Sequence, residues 1–91
     1  MQIRYTRLAV SDLTHAYDYI EADNPQNARA VIGRIEKSVE TIASYPLLGK
    51  LGRVAETREF YVTGTPYIIV YREIRDVLQI LTILHTSRKH P

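Results

Sequence analysis

The chain has 91 residues, a formal net charge of +2 and no cysteine. This length predicts a single domain spanning residues 1–91, and the lack of cysteine excludes disulfides, thiolate chemistry and cysteine-based zinc sites. No apolar run approaches the roughly 20 residues that a membrane span needs, and the first ten residues lack a signal-peptide core. We therefore expect a cytoplasmic protein with no membrane segment.

The charges are unevenly distributed along the chain. Residues 1–48 carry five basic and six acidic side chains, whereas residues 49–91 carry seven basic and four acidic ones. The positive excess therefore lies in the C-terminal half. Such an excess is typical of an ordinary solvated surface, but also of a surface that binds an acidic partner, phosphate or peptide.

A short strand and two helices are predicted in the first half of the chain. Gln2–Tyr5 is predicted to be an edge strand, and Thr6 is a suitable N-cap for a helix that ends at Asn24. The apolar residues of this helix have one-sided amphipathic spacing: Ala9, Leu13, Ala16, Tyr17 and Ile20. Proline is favoured at a first helical position, so Pro25 begins a second helix that reaches Ser44 and forms a hairpin with the first. Its apolar positions are Ala28, Val31, Ile32, Ile35, Val39 and Ile42.

A loop and a third strand are predicted next. The second helix is ended by three turn-forming residues, Tyr45, Pro46 and Gly49. We expect Leu47 and Leu48 to lie beneath the helical hairpin. Lys50–Glu56 is polar and contains glycine, which predicts a mobile surface loop, and Thr57–Val62 then forms a strand.

The most apolar stretch of the chain predicts a β-hairpin. Tyr67–Arg72 and Val77–Leu84 are rich in strand-forming residues, and the polar break between them is too short for a parallel connection. Both alternating faces of each run are mostly apolar. In the first run, the two faces hold Ile69 and Tyr71 against Ile68 and Val70. In the second run, they hold Leu78, Ile80 and Leu84 against Val77, Leu81 and Ile83.

These elements predict an α+β fold with the order β-α-α-β-β-β. A helical hairpin would pack on one face of a mainly antiparallel sheet, because each apolar face needs cover. The second apolar face of the sheet is then a candidate surface for a partner.

The polar residues suggest no metal or cofactor site. The chain has no phosphate-binding glycine loop, and His85 and His90 lack a third ligand, so we predict neither a metal nor a cofactor. RNA cleavage through the 2′-hydroxyl would need a base, an acid and cations that bind the phosphate. Glu59 or His85 could act with three arginines in such a set, Arg58, Arg72 and Arg88.

A purely structural role for these residues is the alternative. Arg58 and Arg72 could pair with Glu59, Glu73 or a carboxylate of a neighbouring strand, and Tyr71 could belong to the core.

Five short motifs occur in order along nearly the whole chain. They are the helix start at Ala9–Leu13, Y-P-x-x-G at Tyr45–Gly49, T-R-E-F at Thr57–Phe60, P-Y-I-I-V-Y-R at Pro66–Arg72 and I-L-x-I-L-H at Ile80–His85. Together they resemble the ParE branch of the RelE/ParE toxins of bacterial toxin–antitoxin modules. The resemblance implies the fold predicted above, a cytoplasmic toxin, and a hetero-oligomer with a cognate antitoxin whose C-terminal segment wraps the toxin.

The two branches of this superfamily differ in their targets. RelE-like members cut messenger RNA on the ribosome, whereas ParE-like members poison DNA gyrase, through its A subunit, without being enzymes. The RNA-cutting branch carries an arginine two residues before the Val-Tyr pair of the central strand, where this chain has Ile68. His85 matches the C-terminal histidine of ParE-like chains. The resemblance therefore favours gyrase inhibition, with messenger RNA cleavage as the alternative and a degenerate toxin that only binds its antitoxin as a third possibility.

The resemblance also implies candidate site residues. The target-binding set is Arg58, His85, Arg88 and Lys89. If the chain is a ribonuclease, the catalytic set is Arg58, Arg72, His85 and Arg88. The antitoxin is expected to contact apolar residues of the helices and the central strand: Leu13, Tyr17, Ile35, Val39, Ile69 and Tyr71.

Overall fold

The computed structural model describes residues 1–87, which form a five-stranded sheet with two helices against one face. The elements are β1 (Gln2–Tyr5), α1 (Arg7–Glu21), α2 (Pro25–Ser44), β2 (Lys50–Leu51), β3 (Arg58–Tyr61), β4 (Tyr67–Ile74) and β5 (Val77–His85). The strand order is β1-β5-β4-β3-β2, with β1 parallel to β5 and every other pair antiparallel. The predicted α+β class, helical hairpin and mainly antiparallel sheet are confirmed.

One strand is additional to the predicted order. Lys50–Leu51, inside the segment predicted to be a loop, pairs with Glu59 and Arg58 of β3. The amide of Gly52 extends this pairing by donating to the carbonyl oxygen of Thr57 at 2.8 Å. A strand of two residues has no alternating pattern of its own, so the sequence could not reveal it.

Side chains at the helix starts join local capping to the tertiary structure. The Thr6 hydroxyl accepts a hydrogen bond from the Ala9 amide at 3.0 Å and donates one to the Leu81 carbonyl oxygen at 2.7 Å. Asn24 caps α2 through the Asn27 amide at 3.0 Å, with Pro25 at the first helical position. Thr6 therefore fixes the start of α1 against β5, while Asn24 allows α2 to begin after a connection of only three residues.

A β-bulge in the central hairpin changes which side chains of β5 face the helices. Val70 pairs with Thr82 and Tyr71 pairs with Ile80, so Leu81 is an extra residue in β5. Beyond the bulge, Ile83 lies opposite Ile69 and is buried in the core. The prediction that Leu84 shares a face with Leu78 and Ile80 is therefore wrong, because the bulge reverses the alternation.

The core lies between the helices and the near face of the sheet. It combines side chains of α1 and α2 with alternate residues of the central strands: Ala9, Ala16, Val31, Ile35, Val39, Ile42, Val62, Tyr67, Ile69, Tyr71, Leu78, Ile80 and Ile83. On the far face, Ile68 has no exposed surface and Val70 and Leu84 are half-buried. The far face is thus less exposed than its sequence suggests. Neither helix within residues 1–87 is long and apolar enough to cross a membrane.

Asp12 covers the part of β5 that extends past the end of β1. The parallel pairing ends at Tyr5 and Ile80. Beyond it, one carboxylate oxygen of Asp12 accepts hydrogen bonds from the Ile83 amide, at 2.9 Å, and from the Thr82 hydroxyl. An open strand edge is a site for unwanted pairing, so this side chain protects the edge as well as stabilising it.

Replacing Asp12 should therefore destabilise the fold. We expect Asp12→Ala to lower the free energy of unfolding by about 1–3 kcal/mol, because two donors lose their acceptor. Asp12→Asn, which keeps one acceptor oxygen, should lose less. Urea unfolding at neutral pH measures both differences.

Asp18 is the matched control, since it is an exposed carboxylate on the same helix. Asp18→Asn should change stability by less than about 0.5 kcal/mol. An Asp12→Ala chain as stable as this control would contradict the proposed role of Asp12.

Candidate functional site

The loop between α2 and β2 is held by a buried tyrosine of β4. The Tyr71 hydroxyl donates to the carbonyl oxygen of Pro46 and accepts from the amide of Gly49, both at 2.8 Å. A Cβ atom at Gly49 would lie 2.7 Å from the same hydroxyl oxygen, so only glycine fits this approach. The Y-P-x-x-G motif therefore matches a specific hydrogen-bonded turn, which we call the Tyr71 clasp (Pro46, Gly49, Arg58 and Tyr71).

Arg58 is the second member of the clasp that comes from the sheet. It pairs with Tyr71 across β3 and β4, and its Nη1 donates to the carbonyl oxygens of Gly49 at 2.8 Å and Leu47 at 3.5 Å. Burial raises the pKa of the Tyr71 phenol, while the Gly49 hydrogen bond and the Arg58 charge act in the opposite direction. The phenol thus stays protonated at neutral pH and continues to donate its hydrogen bond to the Pro46 carbonyl oxygen.

Arg58 and Arg72 are both held by neutral groups. Arg72 donates from Nε to the side-chain oxygen of Gln79 at 2.8 Å. Glu59 pairs with a different arginine, since one of its carboxylate oxygens lies 3.5 Å from the Nε of Arg53. This pair is the one salt bridge among residues 1–87. The alternative in which Arg58 and Arg72 pair with Glu59 or Glu73 is therefore wrong, whereas the placement of Tyr71 in the core is confirmed.

A small cavity lies beside the clasp. Its volume is about 200 Å³, and it is lined by Pro46, Leu47, Glu56, Arg58, Tyr71, Arg72 and Glu73. Both arginines of the predicted ribonuclease set that the structure describes thus line one cavity. Two carboxylates line it as well, so its charge is balanced.

His85 lies at the opposite end of the sheet. Its ring makes an edge-on contact with Tyr67, with centroids 5.2 Å apart and planes at 89°. Its Nδ1 lies 3.1 Å from the Ser87 amide, which donates to it, and 2.9 Å from the Ser87 hydroxyl. His85 also lines a cleft of about 310 Å³ between α1 and the hairpin, together with Asp12, His15, Ala16, Tyr19, Tyr67, Ile83 and Leu84.

The structure does not bring the predicted catalytic residues together. Arg58 lies opposite Tyr71, whereas His85 lies opposite Tyr67, four residues earlier on β4. At about 3.3 Å per residue, these positions are about 13 Å apart along the strand, in addition to the width between strands. Arg88 and Lys89 lie outside the described residues. Within residues 1–87, no group of three or more histidines and carboxylates is placed to hold a metal.

Most of the predicted antitoxin contacts are core residues. Ile35, Val39, Ile69 and Tyr71 each expose 1% of their surface or less, so they cannot form a docking surface in this conformation. Apolar spacing marks buried and partner-binding faces alike, so the sequence could not separate these four residues from accessible ones. Leu13 and Tyr17 are half-buried and line a shallow groove on the helical hairpin, shared with Thr14, Asp18, Ile32 and Glu36.

The loop leucines contradict another expectation. Leu47 and Leu48, expected beneath the helices, expose 73% and 49% of their surface. Leu51 of β2 is 77% exposed, and Tyr45 and Val54 are exposed as well. The segment that the clasp fixes therefore presents apolar side chains to solvent. The sequence shows Gly49 in the Y-P-x-x-G motif and Tyr71 in the central strand, but their contact is seen only in the fold.

Comparisons with known proteins identify relatives over nearly the whole chain. Residues 3–90 match the family model described as the ParE toxin of the type II toxin–antitoxin system parDE. The protein Y4kP of Sinorhizobium fredii, whose name assigns it provisionally as a toxin, is 42% identical over 99% of this chain and 93% of its own length. Toxin RelE2 of Caulobacter vibrioides is 33% identical over 96% of this chain and 97% of its own.

Two solved structures have the same fold. A chain of the chromosomal ParDE system from P. aeruginosa superposes with a TM-score of 0.85 at 24% identity, covering 93% of this chain and 95% of that one. A chain of the intact E. coli RelBE toxin–antitoxin complex superposes with a TM-score of 0.66 at 13% identity, covering 90% and 92%. At these identities the superpositions support the fold alone.

Removing the Tyr71 hydroxyl should loosen the clasp. We expect Tyr71→Phe to lower the free energy of unfolding by about 1–3 kcal/mol, because Pro46 and Gly49 each lose a partner. Hydrogen exchange at the Gly49 amide should accelerate. Tyr61→Phe, at a tyrosine that is 47% exposed, is the matched control and should change stability by less than about 0.5 kcal/mol.

Alkaline pH tests the same hydroxyl independently. A phenol whose pKa is raised on folding keeps its full stabilising contribution below its unfolded pKa of about 10 and loses it as the pH rises through the folded value. Stability should therefore fall above about pH 10, and less steeply for Tyr71→Phe than for the unmodified chain. Equal slopes would mean that Tyr71 ionises in the folded protein as it does in the unfolded chain.

Proposed function

Because the chain belongs to the ParE toxin family of type II toxin–antitoxin systems, we propose that it inhibits DNA gyrase and is neutralised by a cognate antitoxin. The A subunit of gyrase is the proposed target, which places the activity in the cytoplasm. The proposed contact surface contains Arg58, His85, Arg88 and Lys89. The toxin would act as a binder, with no reaction of its own.

The observation that carries this proposal is the separation of Arg58 from His85. General acid–base chemistry at a phosphate requires the base, the acid and the cations within hydrogen-bond reach of one reacting group. Here Arg58 and Arg72 are engaged with neutral partners at one end of the sheet, and His85 lies at the other. Ile68, at the position where RNA-cutting members carry an arginine, has no exposed surface. This arrangement favours a contact surface over a catalytic centre.

Ribosome-dependent cleavage of messenger RNA is the second candidate function. It is supported by the 33% identity to a protein named RelE2. In that case Arg58, Arg72, His85 and Arg88 would be the catalytic set, and the ribosome would have to draw the two ends of the sheet to one phosphate.

The proposed antitoxin contact is the groove on the helical hairpin. Leu13, Tyr17 and Ile32 line a depression of about 270 Å³ whose polar rim includes Asp18 and Glu36. Such a groove suits the apolar face of an amphipathic helix, with basic residues beside that face to meet the acidic rim. Binding there would leave the proposed gyrase-binding residues of the sheet to be covered by the rest of the antitoxin.

Two assays separate the candidate functions. Purified toxin should inhibit gyrase supercoiling of plasmid DNA and leave ribosome-bound messenger RNA intact. Replacing Arg88 and Lys89 together by alanine should weaken gyrase inhibition about fivefold or more, since loss of an important contact costs more than about 1 kcal/mol. Arg75→Ala, at an exposed cation in the β4–β5 turn, is the control and should inhibit normally.

If the toxin cut ribosome-bound messenger RNA at codon positions and left gyrase supercoiling undisturbed, the proposal of gyrase inhibition would be rejected in favour of messenger RNA cleavage.

The antitoxin proposal predicts a stabilising complex with the product of a neighbouring reading frame. At a concentration about 100 times the Kd, binding to the folded state should add roughly 2.7 kcal/mol to its stability. Leu13→Ala, in the groove, should weaken the complex about fivefold or more, whereas Leu8→Ala, at an exposed leucine of the same helix, should not. Equal affinities for the two variants would place the interface elsewhere, and the absence of any complex would reject this partner.

A further inference from the structure

The outer edge of β2 is available for pairing. Among residues 1–87, β2 is the last strand in the sheet order and pairs only with β3. Pairing alternates along an antiparallel strand, and the Gly52 amide points toward β3, where it donates to Thr57. The Lys50 backbone is therefore turned toward β3 as well, and the N–H and C=O of Leu51 point away from the sheet.

The side chains at this edge differ between the two faces of the sheet. Leu51 lies opposite Arg58 on the helix side and is 77% exposed, with the exposed Leu47 joined to the same arginine through its carbonyl oxygen. Lys50 lies on the far face, where its ammonium sits 4.5 Å from the centroid of the Tyr61 ring. One face of the edge is thus apolar and the other carries a cation whose position is already fixed.

The opposite edge of the sheet, at β1, has carboxylates on its helix side and Arg4 on its other face. Within residues 1–87, β1 pairs only with β5, and its residues Ile3 and Tyr5 line a pocket with Glu36 and Glu40 of α2. The pKa of Tyr5 is raised by burial and then by these two carboxylates, which therefore act on the helix side of β1. An acidic side chain on the helix side of β1 would be repelled by Glu36 and Glu40, whereas an acidic side chain on the far face of β2 would be attracted to Lys50.

The Tyr71 clasp holds the β2 edge ready for a partner. Tyr71 and Arg58 fix the turn at Gly49 immediately before Lys50, through three hydrogen bonds of 2.8 Å. A preorganised strand pays less ordering entropy on binding than a loop that must first form. Lysine on an edge strand also discourages pairing with unrelated strands, so it adds selectivity for an acidic segment.

We propose that β2 is a docking strand for an extended peptide segment with alternating apolar and acidic side chains. The segment hydrogen-bonds to the backbone of Leu51, its apolar side chains cover Leu47 and Leu51, and its carboxylates face Lys50. This proposal rests on the proposed antitoxin partner, which would supply the segment, but its test uses neither the antitoxin nor gyrase.

The probe is a capped synthetic nonapeptide of alternating glutamate and leucine, titrated into the purified full-length chain. We expect amide shifts centred on Lys50–Leu51 in nuclear magnetic resonance spectra, slower hydrogen exchange at Leu51 and weaker binding at high salt. Lys50→Glu should weaken binding about tenfold. The matched charge reversal at the other edge, Arg4→Glu, should leave the affinity unchanged.

Leu51→Pro tests the backbone contact. Proline is tolerated on edge strands, and the outward N–H that it removes takes no part in the β2–β3 ladder. The variant should keep the native spectrum of the other strands and lose at least tenfold in affinity. Unchanged binding to Leu51→Pro or Lys50→Glu, or protection of β1 amides in place of β2, would overturn the proposal.

Two further outcomes are decisive. The proposal would also fail if the chain ignored the peptide but bound vesicles of phosphatidylglycerol, because the exposed leucines would then serve a membrane. Peptide binding at β2 by a chain that forms no antitoxin complex would reject the antitoxin partner and leave the docking strand standing.

Discussion

The bulge at Leu81 is the constraint on which the rest of the structure depends. It adds one residue to β5 between the pairs Tyr71–Ile80 and Val70–Thr82, and so reverses the faces of everything that follows. Ile83 enters the core because of it, and His85 lies across from Tyr67 beside the cleft at α1. Without the bulge, a regular alternation would turn Thr82 and Leu84 toward the helices. The packing of α1 against β5, with Asp12 on the Ile83 amide, requires this register.

The same hairpin also organises the opposite end of the sheet through Tyr71. Its ring belongs to the core. Its hydroxyl fixes the loop that follows α2 by donating to the Pro46 carbonyl oxygen and accepting from the buried Gly49 amide, which would otherwise lack a partner. One residue therefore links hydrophobic packing to loop geometry. The hydrogen bonds of the Tyr71 hydroxyl fix the backbone that carries the exposed Leu47, Leu48 and Leu51. This explains how a short loop can present a defined apolar surface.

Most of the architecture could be predicted from the sequence because its signals are local. Helical spacing, the caps at Thr6 and Asn24, and the two apolar runs each specify an element within about 20 residues. The two-residue strand β2 and the Leu81 bulge could not be predicted, because both depend on a neighbouring strand. The residues of the functional site were harder to predict from the sequence than the fold. Apolar spacing identifies a buried face but does not distinguish Ile35, in the core, from Leu13, in an accessible groove.

The arginines illustrate why charge counted along the sequence overstates the charge available for binding. Arg58 holds the clasp, Arg72 binds Gln79, Arg53 binds Glu59, and Arg34 donates to the carbonyl oxygen of Thr63 at 3.1 Å. Each of these groups is positioned by a contact within the chain. A loss of activity on replacing Arg58 would therefore not identify a catalytic or target-binding residue by itself, since the Gly49 turn would lose its anchor. Arg88 and Lys89 belong to the same basic C-terminal half of the sequence and are not among the four clasp residues, so replacing them removes charge without removing a clasp hydrogen bond named above.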